Sequence, residues 1–184
     1  SPPPPPPILT ITHTLSQPDI RIADLSGDVA YDIVLQSAYF KANPSGTFTD
    51  ASSDLHTTAG NGDRIAVADL NGDGLLDRVV SHQRKLWVEW NSPSGVFTSG
   101  PSTIFDEDIS AFAVGHAPMG TPANLQVIAG SKTNVTFLSL GASGWTKTGE
   151  LPSTLEVESL ALGDFNNAGL TDILASGKNG VRGF

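Results

Sequence analysis

The chain has 184 residues, enough for one ordinary domain with a sizeable core. Its formal charge of −9, from 10 Lys and Arg against 19 Asp and Glu, argues against nucleic-acid binding, because phosphate contacts need clustered cations. It contains no stretch of about 18 apolar residues that could span a membrane. It has no cysteine, which excludes disulfides, thiolate metal sites and cysteine nucleophiles.

Six consecutive prolines follow Ser1, and residues 1–7 therefore predict an extended polyproline II linker. Such a rod suits a stalk between the modules of an extracellular protein. The triplet Asn134-Val135-Thr136 is a glycosylation sequon, so Asn134 is a candidate glycosylation site. Together these features favour a location outside the cell, at the cell surface or in the cell wall.

An acidic motif recurs along the chain. It starts at Asp24, Asp69 and Asp164, at intervals of 45 and 95 residues, and the second interval is close to two periods. A further copy is expected near residue 115, where "FAVGHAPMGTPANLQVIAGS" fits with Gly115 in place of the leading aspartate. A Ser-Gly turn repeats in the same phase, with glycines 49 residues apart at Gly46, Gly95 and Gly144. Two marks in one phase indicate four repeats of roughly 47 residues.

Each repeat contains four short, β-branched stretches separated by turn residues, as in "RIAVA", "DRVVSH", "KLWVEW" and "VFTSGPS". Four-stranded units of this length are typical of propeller blades. The sequence therefore predicts an all-β protein, a β-propeller of four four-stranded blades within residues 8–184. The blades are expected near residues 20–58, 64–105, 109–148 and 156–184.

The last blade ends after its third predicted strand, at Phe184. The stretch "ILTITHTLS", residues 8–16, precedes the first repeat, and we expect it to supply the missing strand and close the ring. The alternative is an open part of a six- or seven-bladed propeller, whose uncovered edges would favour self-association.

The acidic loop of the second repeat, "DLNGDGLLD", has the composition of a calcium site. It places Asp69, Asn71, Asp73 and Asp77 within nine residues, and these groups repel one another unless a cation lies between them. Calcium prefers six to eight oxygen ligands, and the glycines at the fourth and sixth positions allow the backbone to curl around an ion. The alternative is a pair of Asn-Gly and Asp-Gly turns that close a hairpin without metal.

The repeated loop and the Ser-Gly turn resemble the FG-GAP/VCBS repeat family over nearly the whole chain. Members of this family are calcium-binding propeller blades found in integrin α-chains, fungal lectins, bacterial surface proteins and polysaccharide-active enzymes. The resemblance implies that the seventh loop position gives its carbonyl to the ion, which is Leu75 in the second repeat and Ala30 in the first. We expect the ion to pin the loop and stabilise the blade.

The other loops keep fewer ligands. The first retains its acidic residues, with Ser26 as a poorer third ligand, and its ligands are Asp24, Ser26, Asp28, Ala30 and Asp32. The fourth has Ala168 at the fifth position and keeps Asp164, Asn166 and Asp172. The third, "GHAPMGTPA", keeps no acidic ligand, and we expect it to be free of metal.

No catalytic apparatus is evident, so the chain is not expected to be an enzyme. The histidines lack metal-ligand spacing, there is no G-x-S-x-G motif, and "DED" at 106–108 is interpreted as a solvated acidic turn. Binding is favoured, with aromatic contacts to a glycan or an extracellular protein. The candidates are Trp87, Trp90, Trp145 and Tyr39, with Tyr31 and Phe40 behind them.

Trp87 and Trp90 have opposite strand parity, so at most one should face the core. The predicted function is an extracellular recognition module of lectin or adhesion type. The alternatives are an accessory domain of a polysaccharide-active enzyme and a purely structural assembly unit.

Overall fold

The computed structural model describes residues 19–57, 63–116, 125–169 and 171–184. Within these ranges the chain is all-β, with fifteen strands and one short 3₁₀ turn, Ser52–Asp54. No helix in these ranges is long and apolar enough to cross a membrane. The predicted linker, residues 1–7, and the predicted closing strand, residues 8–16, lie outside the described residues.

The first two antiparallel sheets each contain four strands in simple chain order. Sheet 1 consists of β1 (Arg21–Ala23), β2 (Asp32–Val34), β3 (Tyr39–Ala42) and β4 (Phe48–Asp50). Sheet 2 consists of β5 (Arg64–Ala68), β6 (Asp77–His82), β7 (Lys85–Trp90) and β8 (Thr98–Ile104).

The remaining strands form two further antiparallel sheets with the same order. Sheet 3 consists of β9 (Ala111–Gly115), β10 (Gln126–Gly130), β11 (Asn134–Gly141) and β12 (Gly144–Pro152). Sheet 4 has three strands among the described residues, β13 (Val157–Gly163), β14 (Asp172–Gly177) and β15 (Gly180–Gly183). The third strand of the last repeat therefore ends beside Phe184, as the sequence predicts, while the outer strand of sheet 3 extends beyond the expected limit at 148.

The Ser-Gly turns join the third and outer strands of the first three sheets. Gly46, Gly95 and Gly144 have φ values of 79°, 76° and 106°, in the left-handed region that favours glycine. The acidic loops join the first and second strands of their sheets, so they lie at the same end of each sheet as these turns. The turns between second and third strands, and the connections between sheets, lie at the opposite end.

Each sheet uses its two faces differently, because alternate residues of a strand point to opposite sides. We call the side that packs on the next sheet the front face and the other side the back face. The front face of sheet 1, with Val34 and Tyr39, packs on the back face of sheet 2, with Ile65 and Val80. The same front-to-back packing joins the next pairs, through Val79 and Leu86 on Val127 and Leu138, and through Ile128 and Phe137 on Ile173 and Ala175.

The two terminal faces do not cover each other. On the back face of sheet 1, Ile22 is 68% exposed, and on the front face of sheet 4, Leu174 is 38% exposed. Closure of the ring is therefore not seen among the described residues.

Candidate functional site

The three described acidic loops share one curled backbone. In the loop of sheet 2, Gly72 and Gly74 occupy the left-handed region, with φ values of 77° and 88°. The same fourth and sixth positions are left-handed in the other two loops, at Gly27 (75°) and Val29 (73°), and at Asn167 (59°) and Gly169 (78°). The curl that the sequence predicts at these two positions is present in all three loops, and Val29 and Asn167 show that it does not require glycine.

The leading aspartate holds the curl through backbone amides. Asp69 accepts hydrogen bonds from the N–H groups of Gly72 at 2.7 Å, Asp73 at 3.2 Å and Gly74 at 2.9 Å. Asp24 accepts bonds from the three corresponding amides of its loop, and Asp164 accepts bonds from the amides of Ala168 and Gly169. This aspartate therefore organises its own loop.

The last aspartate anchors the loop to the sheet. Asp77 is fully buried, and its two oxygens accept the N–H groups of Leu70 and Asn91, both at 3.0 Å. Burial raises the pKa of Asp77 to about 6, against the lowering effect of these bonds, and the charges of Asp73 and Asp69 add to the rise. A cation near the loop would relieve this repulsion.

Asp32 has the same role in sheet 1. It is fully buried and accepts the N–H groups of Leu25, Ser26 and Ala42, each at 2.9 Å. Asp172 does so in sheet 4, where it is half-buried and accepts the N–H groups of Phe165 at 3.0 Å and Asn166 at 3.3 Å.

The donor chemistry of the loops fits a hard divalent cation, because every predicted ligand offers oxygen. In the first loop, Ser26 Oγ is buried and has no hydrogen-bond partner in the described part of the chain. However, no group of three acidic or histidine side chains in that part is close enough to hold a metal ion. The carboxylates are instead bonded to the backbone of their own loops.

The third loop is longer than the others. Gly115 is the last residue of β9 and pairs with Gln126, as Ala68 pairs with Asp77 in sheet 2. The alignment of Gly115 with the leading aspartate is therefore wrong by one residue, and His116 follows the strand in its place. Residues 117–123 of the predicted metal-free loop lie outside the described residues.

Trp87 and Trp90 are both half-buried, so neither is the freely exposed ring of the pair. Trp87 lies on the back face of sheet 2 opposite Val80, and its indole N–H donates to Glu89 at 3.2 Å. Trp90 has the opposite parity and lies over Gly100, where an added Cβ would come within 2.8 Å of the indole nitrogen. Both rings serve packing within and between sheets.

Tyr39 has no exposed surface, so it is a core residue and not a ligand contact in this structure. Its hydroxyl donates to Asp32 at 3.2 Å, and burial raises its pKa. Phe40 is half-buried on the back face of sheet 1, whereas Tyr31 is exposed beside the first acidic loop.

Trp145 lines a groove between the outer strand of sheet 2 and the back face of sheet 3. Its indole N–H donates to the carbonyl of Pro101 at 3.2 Å, which holds the ring against sheet 2. The cavity has a volume of about 170 Å³. Phe105 and Leu138 add apolar surface, and the polar lining includes Glu107, Asn134, Thr136, Lys147 and Glu150.

Asn134, the predicted glycosylation site, is the first residue of β11 and lies in the lining of this groove. Its side-chain amide donates to Thr133 Oγ1 at 3.1 Å. A glycan attached there would extend from the wall of the groove.

The sequence interpretation missed the role of the acidic turn at 106–108. Glu107 accepts hydrogen bonds from Thr133 Oγ1 at 2.8 Å, Ser131 Oγ at 2.8 Å and the Thr133 N–H at 3.0 Å, and these bonds lower its pKa. Glu156 pairs with Lys178 at 3.1 Å and Asp63 pairs with His82 in corresponding places. In each of these three sheets a carboxylate lies shortly before the first strand, which is β5, β9 or β13. This pattern could have predicted the contacts from the sequence.

A wider cavity of about 540 Å³ lies at this end of sheets 2, 3 and 4. The turns supply its cations, Arg84, Lys132 and Lys178, and its carboxylates come from the connections between sheets and from Glu158 on β13. Because Glu107 and Lys178 are already engaged and the charges are mixed, the cavity does not define a ligand class.

No family model and no curated protein matches the chain. Solved structures, in contrast, do match the chain. BBS1N in complex with ARL6DN, soaked with lead, aligns with a TM-score of 0.65 at 10% identity, covering 92% of this chain and 54% of that one. A lectin of Agrocybe aegerita that recognises non-reducing terminal N-acetylglucosamine aligns with a TM-score of 0.59 at 16% identity, covering 88% of this chain and 47% of that one.

At these identities the likeness shows the fold alone, an all-β arrangement of propeller type. The chain spans about half the length of these two solved chains.

Proposed function

We propose that the chain is a non-catalytic recognition module that binds a carbohydrate in the groove lined by Trp145. The supporting observation is the groove itself, where one indole and apolar surface lie beside carboxylate, amide and hydroxyl groups. Sugars present C–H faces to aromatic rings and hydroxyl groups to such acceptors. A cavity of about 170 Å³ is smaller than the usual pocket for a drug-sized ligand, so it suits a single terminal sugar ring.

The similarity to the Agrocybe aegerita lectin supports a carbohydrate ligand and makes N-acetylglucosamine the first sugar to test. Within the same proposal, the chain is a member of the FG-GAP/VCBS repeat family with four blades. We also propose that it works outside the cell, as its proline-rich start and its sequon suggest.

A glycan array followed by titration of the bound sugar tests the groove. Glu150→Gln should weaken binding roughly tenfold, because it removes a charged acceptor of hydrogen bonds. The matched control is Asp108→Asn, which lies in the neighbouring acidic turn but outside the groove lining and should bind like the wild type. The proposal fails if the array shows no bound glycan, or if both variants bind with wild-type affinity.

Protein recognition is the second candidate, since BBS1N was solved with a protein bound. An accessory domain of a polysaccharide-active enzyme and a structural assembly unit also remain alternatives. Binding of a glycan that Glu150→Gln leaves unchanged would favour a different surface. A chain that binds no glycan would favour the protein or structural role.

We further propose that the acidic loops bind calcium with a stabilising role. The oxygen-only donor set, the mutual repulsion at Asp77 and the unpartnered Ser26 Oγ support this proposal. In the loop of sheet 2 the ion would be held by Asp69, Asn71, Asp73, Asp77 and the carbonyl of Leu75. Bound calcium would neutralise the crowded carboxylates, and the chain's own residues keep the loop curled.

A further inference from the structure

The groove lined by Trp145 has an excess of negative charge. Its described lining contains the carboxylates of Asp106, Glu107 and Glu150 and a single cation, Lys147. Lys147 is already paired with Glu150, at 2.8 Å between Nζ and Oε2, so these two charges offset each other. The negative charges of Asp106 and Glu107 therefore remain without a cation in the described lining of the groove.

Glu107 is held in place without being neutralised. Its three hydrogen bonds come from the hydroxyl groups of Thr133 and Ser131 and from the N–H of Thr133, and all of these donors are uncharged. The bonds lower the pKa of Glu107, with a smaller contribution from the charge of Lys132, so the carboxylate is ionised at neutral pH. Lys132 lines the wider cavity and not the groove. Glu107 therefore presents a fixed negative charge to the groove.

Asp106 presents a second negative charge. Its side chain is exposed and has no hydrogen-bond or ion-pair partner in the part of the chain that the structure describes. It is adjacent to Glu107 in the chain, and both residues line the groove. A positively charged ligand would therefore meet one carboxylate that is fixed in position and one whose oxygens are free to accept hydrogen bonds.

We propose that the preferred ligand of this groove is a sugar with a free amino group, such as a terminal glucosamine. This inference rests on the proposed carbohydrate function and specifies its ligand. The protonated amine would bind the carboxylates of Asp106 and Glu107 through charge-assisted hydrogen bonds. The C–H face of the sugar ring would pack on Trp145, and its hydroxyl groups would bond to the polar groups of the lining.

Charge distinguishes three classes of sugar at such a site. N-acetylation removes the positive charge and keeps the sugar ring, so N-acetylglucosamine should bind more weakly than glucosamine. An acidic sugar would bring its carboxylate close to two others and should bind least. The charge of −9 on the chain acts in the same direction, because it raises the concentration of cations near the protein surface.

Calorimetric titration with two disaccharides that differ only in the acetylation of their terminal glucosamine tests this preference. At about pH 6 the amine is protonated, and at about 0.01 M salt it should bind at least about fivefold tighter than the acetylated form. At about 1 M salt the Debye length falls from about 30 Å to about 3 Å, so the preference should decrease to about twofold or less.

Asp106→Asn and Asp108→Asn form a matched pair of variants. Both residues are exposed in the same acidic turn, and each substitution removes one negative charge, but only Asp106 lines the groove. Asp106→Asn should weaken binding of the free amine about threefold and leave the acetylated sugar unchanged, whereas Asp108→Asn should change neither. Lys147→Gln should strengthen binding of the free amine about threefold, because it releases Glu150 from its ion pair.

The outcomes separate this inference from the proposed function. Equal or tighter binding of the acetylated sugar, or wild-type affinity of Asp106→Asn for the free amine, overturns the inference and leaves the carbohydrate groove in place. A chain that binds neither disaccharide also overturns it, and the glycan array then decides the proposed function. Lysine amide is a further probe: if it binds as tightly as the free-amine disaccharide, the groove recognises an ammonium group alone, and the assignment to an amino sugar is wrong.

Discussion

The acidic loops of sheets 2 and 4 have the same backbone shape, but they differ in the side chains that could offer oxygen to a cation. In sheet 2, the N–H of Asp73 donates to Asp69 at 3.2 Å and to Asn71 at 2.9 Å. In sheet 4, the N–H of Ala168 makes the same two bonds, to Asp164 at 2.9 Å and Asn166 at 2.8 Å. The loop therefore curls equally well with or without a carboxylate at the fifth position.

This comparison divides the acidic residues by their roles. The first and last aspartates form the loop and join it to the sheet through backbone amides. The carboxylate of Asp73 is not needed for the backbone curl, because the N–H of Ala168 makes the same two bonds without it. The carboxylate does accept two further bonds, from the N–H of Leu75 at 2.8 Å and from the side-chain amide of Asn71 at 2.9 Å. Its charge adds to the rise in the pKa of Asp77 that burial causes, and the proposed cation would offset that charge.

The largest expected effect comes from removing the buried anchor. Asp77→Ala leaves the N–H groups of Leu70 and Asn91 without their acceptor, and should lower the free energy of unfolding by about 3 kcal/mol. Asp172→Ala removes the same anchor from a more exposed loop and should cost about 1 kcal/mol. Urea unfolding in the presence of a chelator measures both values without a contribution from metal.

Equal losses for the two variants would contradict the difference in burial between the anchors. No loss for Asp77→Ala would show that neighbouring groups or water replace the carboxylate.

A smaller effect is expected at the sixth position of the first loop. Val29 is a β-branched residue with φ of 73°, where the other two loops have glycine, and its side chain is 89% exposed. Val29→Gly relieves the strain without loss of packing and should raise the free energy of unfolding by about 1 kcal/mol. The denaturation midpoint measures the change.

Gly74→Val is the reverse control, because it places the same strain in the loop of sheet 2. It should lower stability by a similar amount. If neither substitution moves the midpoint, the left-handed curl is not maintained in solution.

The repeat made much of the fold accessible from the sequence. Short apolar stretches and repeated Ser-Gly turns predicted the four-stranded units, and the glycines of the second loop predicted its curled backbone, because both depend on local backbone chemistry. The third loop was misaligned by one residue, because it is longer than the others and has no leading aspartate to fix the register. Strand pairing depends on contacts between residues that are far apart in the sequence, and the third loop has no local motif that indicates them.

The back face of sheet 2 shows what local patterns do not predict. Arg78 donates to Glu89 at 2.7 Å, both side chains are fully buried, and burial lowers the pKa of Arg78. Arg78 also donates to the carbonyl oxygen of Thr57 at 3.2 Å and to that of Gln36, which joins sheet 2 to sheet 1. The equivalent residues of sheet 3 are the buried Val127 and Leu138. The charged residue types of Arg78 and Glu89 alone suggest exposed positions instead.

The candidate groove was only partly predictable. Trp145 was identified from its residue type, but its partners come from another repeat and approach it through the packing of sheets 2 and 3. The burial of Tyr39 likewise depends on the neighbouring sheet, because Phe97 of sheet 2 packs edge-on against its ring at 6.0 Å between centroids.

Thermal melting of the protein in calcium and in a chelator is the most direct test of whether the carboxylate at the fifth loop position binds a cation. We expect calcium to raise the melting temperature of the wild-type chain, with a stabilisation of about 2.7 kcal/mol when calcium is at a hundred times its dissociation constant. Asp73→Ala should melt only slightly below the wild type in chelator, because the two bonds that its carboxylate accepts are exposed to water, and it should lose most of the gain from calcium. The same wild-type melting curve in excess calcium and excess chelator would contradict the account.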